Sequence, residues 1–138
     1  MRRPIAAALA LVLSTLSTAT LARASAFSDD LKARRDRVME RLGPDAIFVA
    51  WSASPKVYST DVDYEYRQDS NLYYLTGLTQ EGTILVLMPG NKTLREVLFV
   101  KDRNAVAEHW TGRLLTSDDA RSRTGIETVL PTSRFELL

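Results

Sequence analysis

The chain has no cysteine and a single histidine, His109, among its 138 residues. Without cysteine there is no disulfide framework and no thiolate chemistry, and one histidine cannot build a zinc site of the usual His and Cys kind. There is no Gly-x-Ser-x-Gly elbow to go with His109 and no glycine-rich loop to cradle a phosphate, so neither an acyl-transfer triad nor a nucleotide site is signalled. His109 lies between Glu108 and Trp110 on an expected helix and reads as a packed or solvated side chain rather than a base. Internal repeats, low-complexity tracts and linkers are also lacking.

A long apolar run is missing as well. Ile5 to Leu16 is apolar apart from Ser14 and Thr15, short of the about 20 residues that span a bilayer. Arg2 and Arg3 precede this run, and Ala24-Ser25-Ala26 places small residues at −3 and −1 of a cleavage point. Residues 1–26 therefore read as a signal peptide, which predicts export to the periplasm or the exterior and no membrane attachment after its removal. An uncleaved N-terminal anchor is the alternative.

Charge of one sign is scarce in the remainder. Residues 1–26 carry Arg2, Arg3, Arg23 and no acid, so of 18 basic and 17 acidic side chains the mature part keeps 15 and 17, a net charge of −2. Such a balance gives no electrostatic reason to bind nucleic acid or an anionic membrane surface. Taking 26 from 138 leaves 112 residues, enough for one domain, 27–138, with one hydrophobic core.

What is present alternates between helix and strand signals. Ser28 reads as an N-cap ahead of Asp29 and Asp30, with Leu31, Val38 and Leu42 on one helical face and Gly43-Pro44 as the stop. Ala46 to Trp51 reads as a buried strand and 55–63 as a loop. Ser70 to Gly77 reads as a short helix closed by Gly77. Thr83 to Met88 and Arg95 to Lys101 are strands joined by Pro89-Gly90-Asn91-Lys92, a hairpin. A helix over 102–110 broken by Gly112, another from Ser117 to near Gly125, a strand 127–130 and a helix capped by Ser133 complete the pattern. Alternation of this kind predicts an α/β sandwich around a central sheet.

Asp61, Asp63 and Glu65 alternate and share one face of an extended segment. They read either as a solvated acidic edge or as part of a carboxylate metal site. Two stretches concentrate aromatic and charged residues: Tyr64 to Gly77, and Glu108-His109-Trp110-Thr111-Gly112-Arg113. Buried rings and paired guanidiniums account for much of the first. Trp110 beside a charged loop also suits a surface that meets a partner or ligand.

The string Tyr66-Arg67-Gln68-Asp69-Ser70-Asn71-Leu72-Tyr73-Tyr74-Leu75-Thr76-Gly77, followed by Glu108-x-Trp110-x-Gly112-Arg113, resembles the N-terminal domain of the aminopeptidase P group. The resemblance covers nearly all of 28–138. It implies a single α/β domain, a central mixed β-sheet flanked by helices, which in the whole enzyme shapes the substrate cleft and supplies oligomer contacts. It implies further that hydrolysis belongs to a downstream domain holding two manganese ions, with no cofactor and no catalytic or metal-binding residue in this chain. The substrate would be a peptide with proline at its second position, and the whole enzyme a homo-oligomer. Asp61 matches a position near the substrate's amino end, and Trp110 one lent to a neighbouring subunit's pocket. Tyr66, Arg67, Gln68, Ser70, Tyr73, Gly77, Gly112 and Arg113 match motif positions with structural roles, Arg67 and Arg113 ordering loops through carboxylate pairs. A stand-alone exported binding or oligomerisation module without catalysis is the competing reading.

Overall fold

The computed structural model describes residues 26–60, 62–104, 106, 108, 109 and 112–137. The expected signal peptide falls almost wholly on residues 1–25, outside that set.

Helix α1 runs through 26–42. Its inward stripe, Leu31, Arg35 and Met39, is buried at four-residue spacing, and Gly43, at φ 77°, donates its N–H to Met39 O at 3.2 Å to end it. The expected N-cap at Ser28 is not one, because the helix is already formed at residue 26. Phe27 explains the extra turn, since its ring lies so near Gly77 that a Cβ there would meet it at 3.0 Å. Tertiary contact overrides the local capping signal.

Four strands form the central sheet: β1 (Phe48–Trp51), β4 (Ile84–Leu87), β5 (Glu96–Val100) and β6 (Thr128–Pro131), in that spatial order. The first two pairings are antiparallel, with Ile84 opposite Phe99 across the hairpin, and the β5–β6 pairing is parallel. The parallel return is made through α3 (Ser117–Thr124), as a crossover requires. Pro131 ends β6 on the sheet edge, where its missing N–H costs no ladder bond.

Alternation along the strands sorts two apolar layers. Leu85, Leu87, Leu98 and Val100 face Met39 of α1, Leu72 and Leu75 of α2 (Ser70–Thr76), and Ala120 of α3. On the other face Ile84, Val86, Val97 and Phe99 pack with Val49, Leu130 and Phe135. Phe135 comes from a 3-10 segment, Thr132–Leu137, and meets Phe99 edge-on at 5.3 Å. Ser133 does not cap a regular α-helix; its N–H and hydroxyl donate to Asp102 at 3.1 Å each. Burial on both faces is why β4 and β5 read as unbroken apolar runs.

The stretch expected as a loop, 55–63, contains a small antiparallel ribbon, β2 (Val57–Ser59) with β3 (Val62–Asp63). Val57, Tyr58, Val62 and Tyr64 are all exposed, so no inside-outside alternation marks it in the sequence. Tyr58 and Tyr64 meet edge-to-face at 5.2 Å. Within 102–110, the helical residues among those described are Val106, Glu108 and His109. The turn starts after Asn104, whose side chain accepts from Val106 N at 3.0 Å.

The polar exception in the core is Arg35, fully buried on a helix whose other basic residues face outward. It donates to Leu75 O at 3.0 Å and pairs through Nε with Glu96 at 3.2 Å, joining α1 to α2 and β5. Removing one partner of a buried pair strands the other charge, at a cost of about 3–5 kcal/mol. Glu96→Ala should therefore lower the unfolding free energy by about that much in urea titration, and Arg35→Met with Glu96→Leu together by far less than the two singles summed. Additive losses in the double variant would rule out a coupled pair.

Candidate functional site

The site is organised by one carboxamide. Gln68 Oε1 accepts from Ala53 N at 3.1 Å, Tyr66 Oη at 2.9 Å and Asp69 N at 2.9 Å, while its Nε2 donates to Gln80 O at 2.9 Å. The loop after β1, the Tyr66 segment, the start of α2 and the loop before β4 thus meet at one side chain. Asp69, next in sequence, caps α2 by accepting from Asn71 N and Leu72 N. Gly77, at φ 66°, closes that helix with its N–H on Tyr73 O at 2.7 Å. The left-handed conformation suits glycine, and a Cβ there would crowd the Phe27 ring at 3.0 Å.

Tyr66 is half-buried. Burial pushes its hydroxyl above the ordinary phenol range; a Ser52 hydrogen bond opposes this, and Glu81 and Asp69 add to it. It stays a neutral phenol and a donor, directed at Gln68 and at Ala53 O.

Tyr66 is also where the two motifs converge. One concavity of about 620 Å³ is lined by Tyr66, Arg67, Gln68, Ser70 and Tyr73 of the first motif. A second, of about 500 Å³, brings Tyr66 against Arg113 of the second motif. The motifs are joined through Gln80, whose Oε1 accepts from Leu115 N at 2.7 Å. Gly112, at φ 86°, turns the chain out of the short helix, its N–H on Glu108 O.

The carboxylate pairs expected for Arg67 and Arg113 are not formed among the described residues; both guanidiniums are exposed. The acids near Arg113 are engaged elsewhere. Glu108 accepts from Arg103 at 2.6 and 2.7 Å, and Asp119 shares a capping box with Thr116. Hydrogen bonding from Arg103 holds the Glu108 carboxyl below its usual range, and the Thr116 bonds do the same for Asp119.

Asp61 and Trp110, the two expected substrate contacts, lie outside the described residues. His109 is exposed. Among the described residues no group of three or more His, Asp or Glu side chains is placed to hold a metal ion. Sequence reasoning missed Gln80 and Ala53, whose parts are played by long-range contacts with no local signature.

A mixed sheet with helices on one face and a polar, aromatic-rimmed hollow beside it defines a single domain of α/β type. The family to which it belongs is given by comparison. The model of the aminopeptidase P N-terminal domain matches residues 31–138, and the chain belongs to that family. It is 32% identical over 107 residues to the Xaa-Pro aminopeptidase of Escherichia coli K12, covering 77% of this chain and 24% of the relative. It is 32% identical over 100 residues to human Xaa-Pro aminopeptidase 3, covering 70% of this chain and 20% of that one. Among solved structures, Pseudomonas aeruginosa aminopeptidase PepP superposes with a TM-score of 0.74 at 28% identity, over 80% of this chain and 25% of that one. E. coli aminopeptidase P with the inhibitor Pro-Leu superposes at 0.71 and 31% identity, over 78% and 25%. The chain spans about a quarter of the length of these bacterial relatives.

Two outcomes test the site's construction. Gln68→Met strands the N–H groups of Ala53 and Asp69, each unmet buried donor costing about 1–3 kcal/mol. The variant should lose on the order of 2–4 kcal/mol in denaturant unfolding, and a loss under 1 would mean that water or relaxation replaces the hub. The second concerns acid. Because Glu108 and Asp119 are depressed in the folded state, their contribution is complete above the ordinary carboxylate range and lost as pH falls through the folded values. Urea midpoints should drop below that range, and Glu108→Gln should flatten the drop.

Proposed function

We propose that this chain is the N-terminal domain of an exported, manganese-dependent Xaa-Pro aminopeptidase, shaping the substrate cleft and supplying oligomer contacts, with no hydrolytic activity of its own. The observation that carries the reading is the convergence at Tyr66 of both motifs that mark the family, in a chain matched over residues 31–138 by the family's N-terminal-domain model. Signal-peptide features in residues 1–26 support export to the periplasm or the exterior.

The substrate in this reading is a peptide with proline second. Asp61 would face its amino group, since a carboxylate suits an ammonium. Trp110 would offer a flat ring to a neighbouring subunit's pocket, where proline and side-chain surfaces stack well. Tyr58, Tyr64 and Tyr73 are exposed and add aromatic surface. Two manganese ions, when bound, supply an activated water and polarise the carbonyl. As the family resemblance implies, the reading assigns these ions to polypeptide outside this chain.

The test is to express the gene with its full reading frame and assay an Xaa-Pro peptide with and without added manganese. Manganese-dependent cleavage, absent from the 138-residue chain alone, is expected. Trp110→Ala in the longer protein should lower turnover at unchanged metal content, and unchanged kinetics would return Trp110 to packing. A native protein no longer than this chain, or a longer one inert on such peptides, would overturn the reading in favour of a stand-alone binding module.

A further inference from the structure

The 500 Å³ hollow beside Tyr66 has more donors than its surroundings use. It is lined by Tyr66, Gln80, Glu81, Arg113, Leu115 and Arg123, among others. Its acidic neighbours are engaged: Glu81 pairs with Lys101, Glu108 with Arg103 and Asp119 with Thr116. Arg113 and Arg123 are exposed and make no ion pair among the described residues. Their fields overlap at Asp119, adding to the Thr116 hydrogen bonds that lower its carboxyl.

Gln80 supplies the most specific signal. Leu115 N fixes its Oε1 as the acceptor at 2.7 Å, which sets the orientation of the whole amide. Nε2 is consequently held in place, buried and without an acceptor. An oriented buried donor left unmet is costly, and natural structures seldom keep one without a reason.

The charge around the hollow also selects the ligand. Lys101 neutralises Glu81, and Asp119 offsets one of the two guanidiniums, leaving a net charge of about +1 by Coulomb bookkeeping. A planar monoanion suits this better than a phosphate dianion, and guanidinium forks match carboxylate oxygens in pairs. We propose that this hollow is a carboxylate-binding site, in which Arg113 and Arg123 take the charge and Gln80 Nε2 donates to one oxygen. Its chemistry stands without the functional reading above; only the source of the carboxylate rests on it. That source is either the C-terminal carboxylate of a bound peptide or an Asp or Glu side chain of polypeptide beyond residue 138.

The experiment is a titration of the ¹⁵N-labelled 138-residue chain with N-acetylglycine, using N-acetylglycinamide as the uncharged control. The acid should move the Gln80 side-chain amide and the Arg113 and Arg123 Nε–H signals, and the amide should not. Arg113→Gln and Arg123→Gln should each weaken binding about tenfold, the worth of a charge-assisted hydrogen bond. Equal responses to acid and amide, or none to either, overturn the proposal. Repeating the titration on the longer protein separates the sources. A retained response assigns the hollow to a peptide's carboxylate, and a response lost there but present in the short chain assigns it to a downstream acidic side chain. No hydrolysis is read, so a longer protein inert on Xaa-Pro peptides would overturn the functional reading and leave this one standing.

Discussion

Everything at the candidate site depends on where the Gln68 carboxamide is held. One oxygen receives three donors from three segments and one nitrogen reaches a fourth. An amide offers an acceptor oxygen and two protons in one rigid plane, and here three donors share the oxygen's two lone pairs. A carboxylate there would have no proton for Gln80 O, and an apolar side chain would leave two backbone N–H groups unmet. The consequence reaches past the hub. Asp69 follows directly in the chain, so the same geometry starts α2, and Gln80 passes the constraint on to Leu115. The two motifs, more than 30 residues apart, are therefore registered against each other by hydrogen bonds, alongside the packing of Leu115 on the cluster that holds Leu72 and Leu75.

The sheet beneath supplies the stiffness this network needs. β4 and β5 are buried on both faces, with helices on one side and the Phe135 segment on the other. Both loops that build the site leave from this rigid pair, one entering β4 and one following β5. Arg35 ties α1 to the same layer through Leu75 O and Glu96. A buried guanidinium is a poor source of stability compared with leucine. Its one hydrogen bond, from Nη1 to Leu75 O, does, however, tie α1 to the end of α2 in a directional way that an apolar contact lacks.

Much of this was legible in the residues. The apolar runs marked β4 and β5, and Gly77 and Gly125 marked the ends of α2 and α3. The failures share a cause. The β2–β3 ribbon is exposed on both faces and so carries no period-two signal. The start of α1 is set by Phe27 against Gly77, 50 positions apart. Arg35 looks like any helical surface cation until Glu96 is brought across to it. Arg113 makes no carboxylate pair among the described residues, where Arg103 and Thr116 hold Glu108 and Asp119. In each case the deciding contact is long-range, or belongs to a competition among partners that sequence spacing cannot rank.

The described site is built from groups that hold their protons. Amides and guanidiniums exchange no proton near neutrality, and Tyr66 is pushed further from ionising by burial. These groups therefore keep their protons near neutrality. They are fixed donors, held in place by one another, and their value lies in the geometry that they impose on an incoming acceptor. Preorganised donors lower the ordering cost of binding without sharing in bond making. The shape of this site therefore depends on the rigidity of the Gln68–Gln80 network.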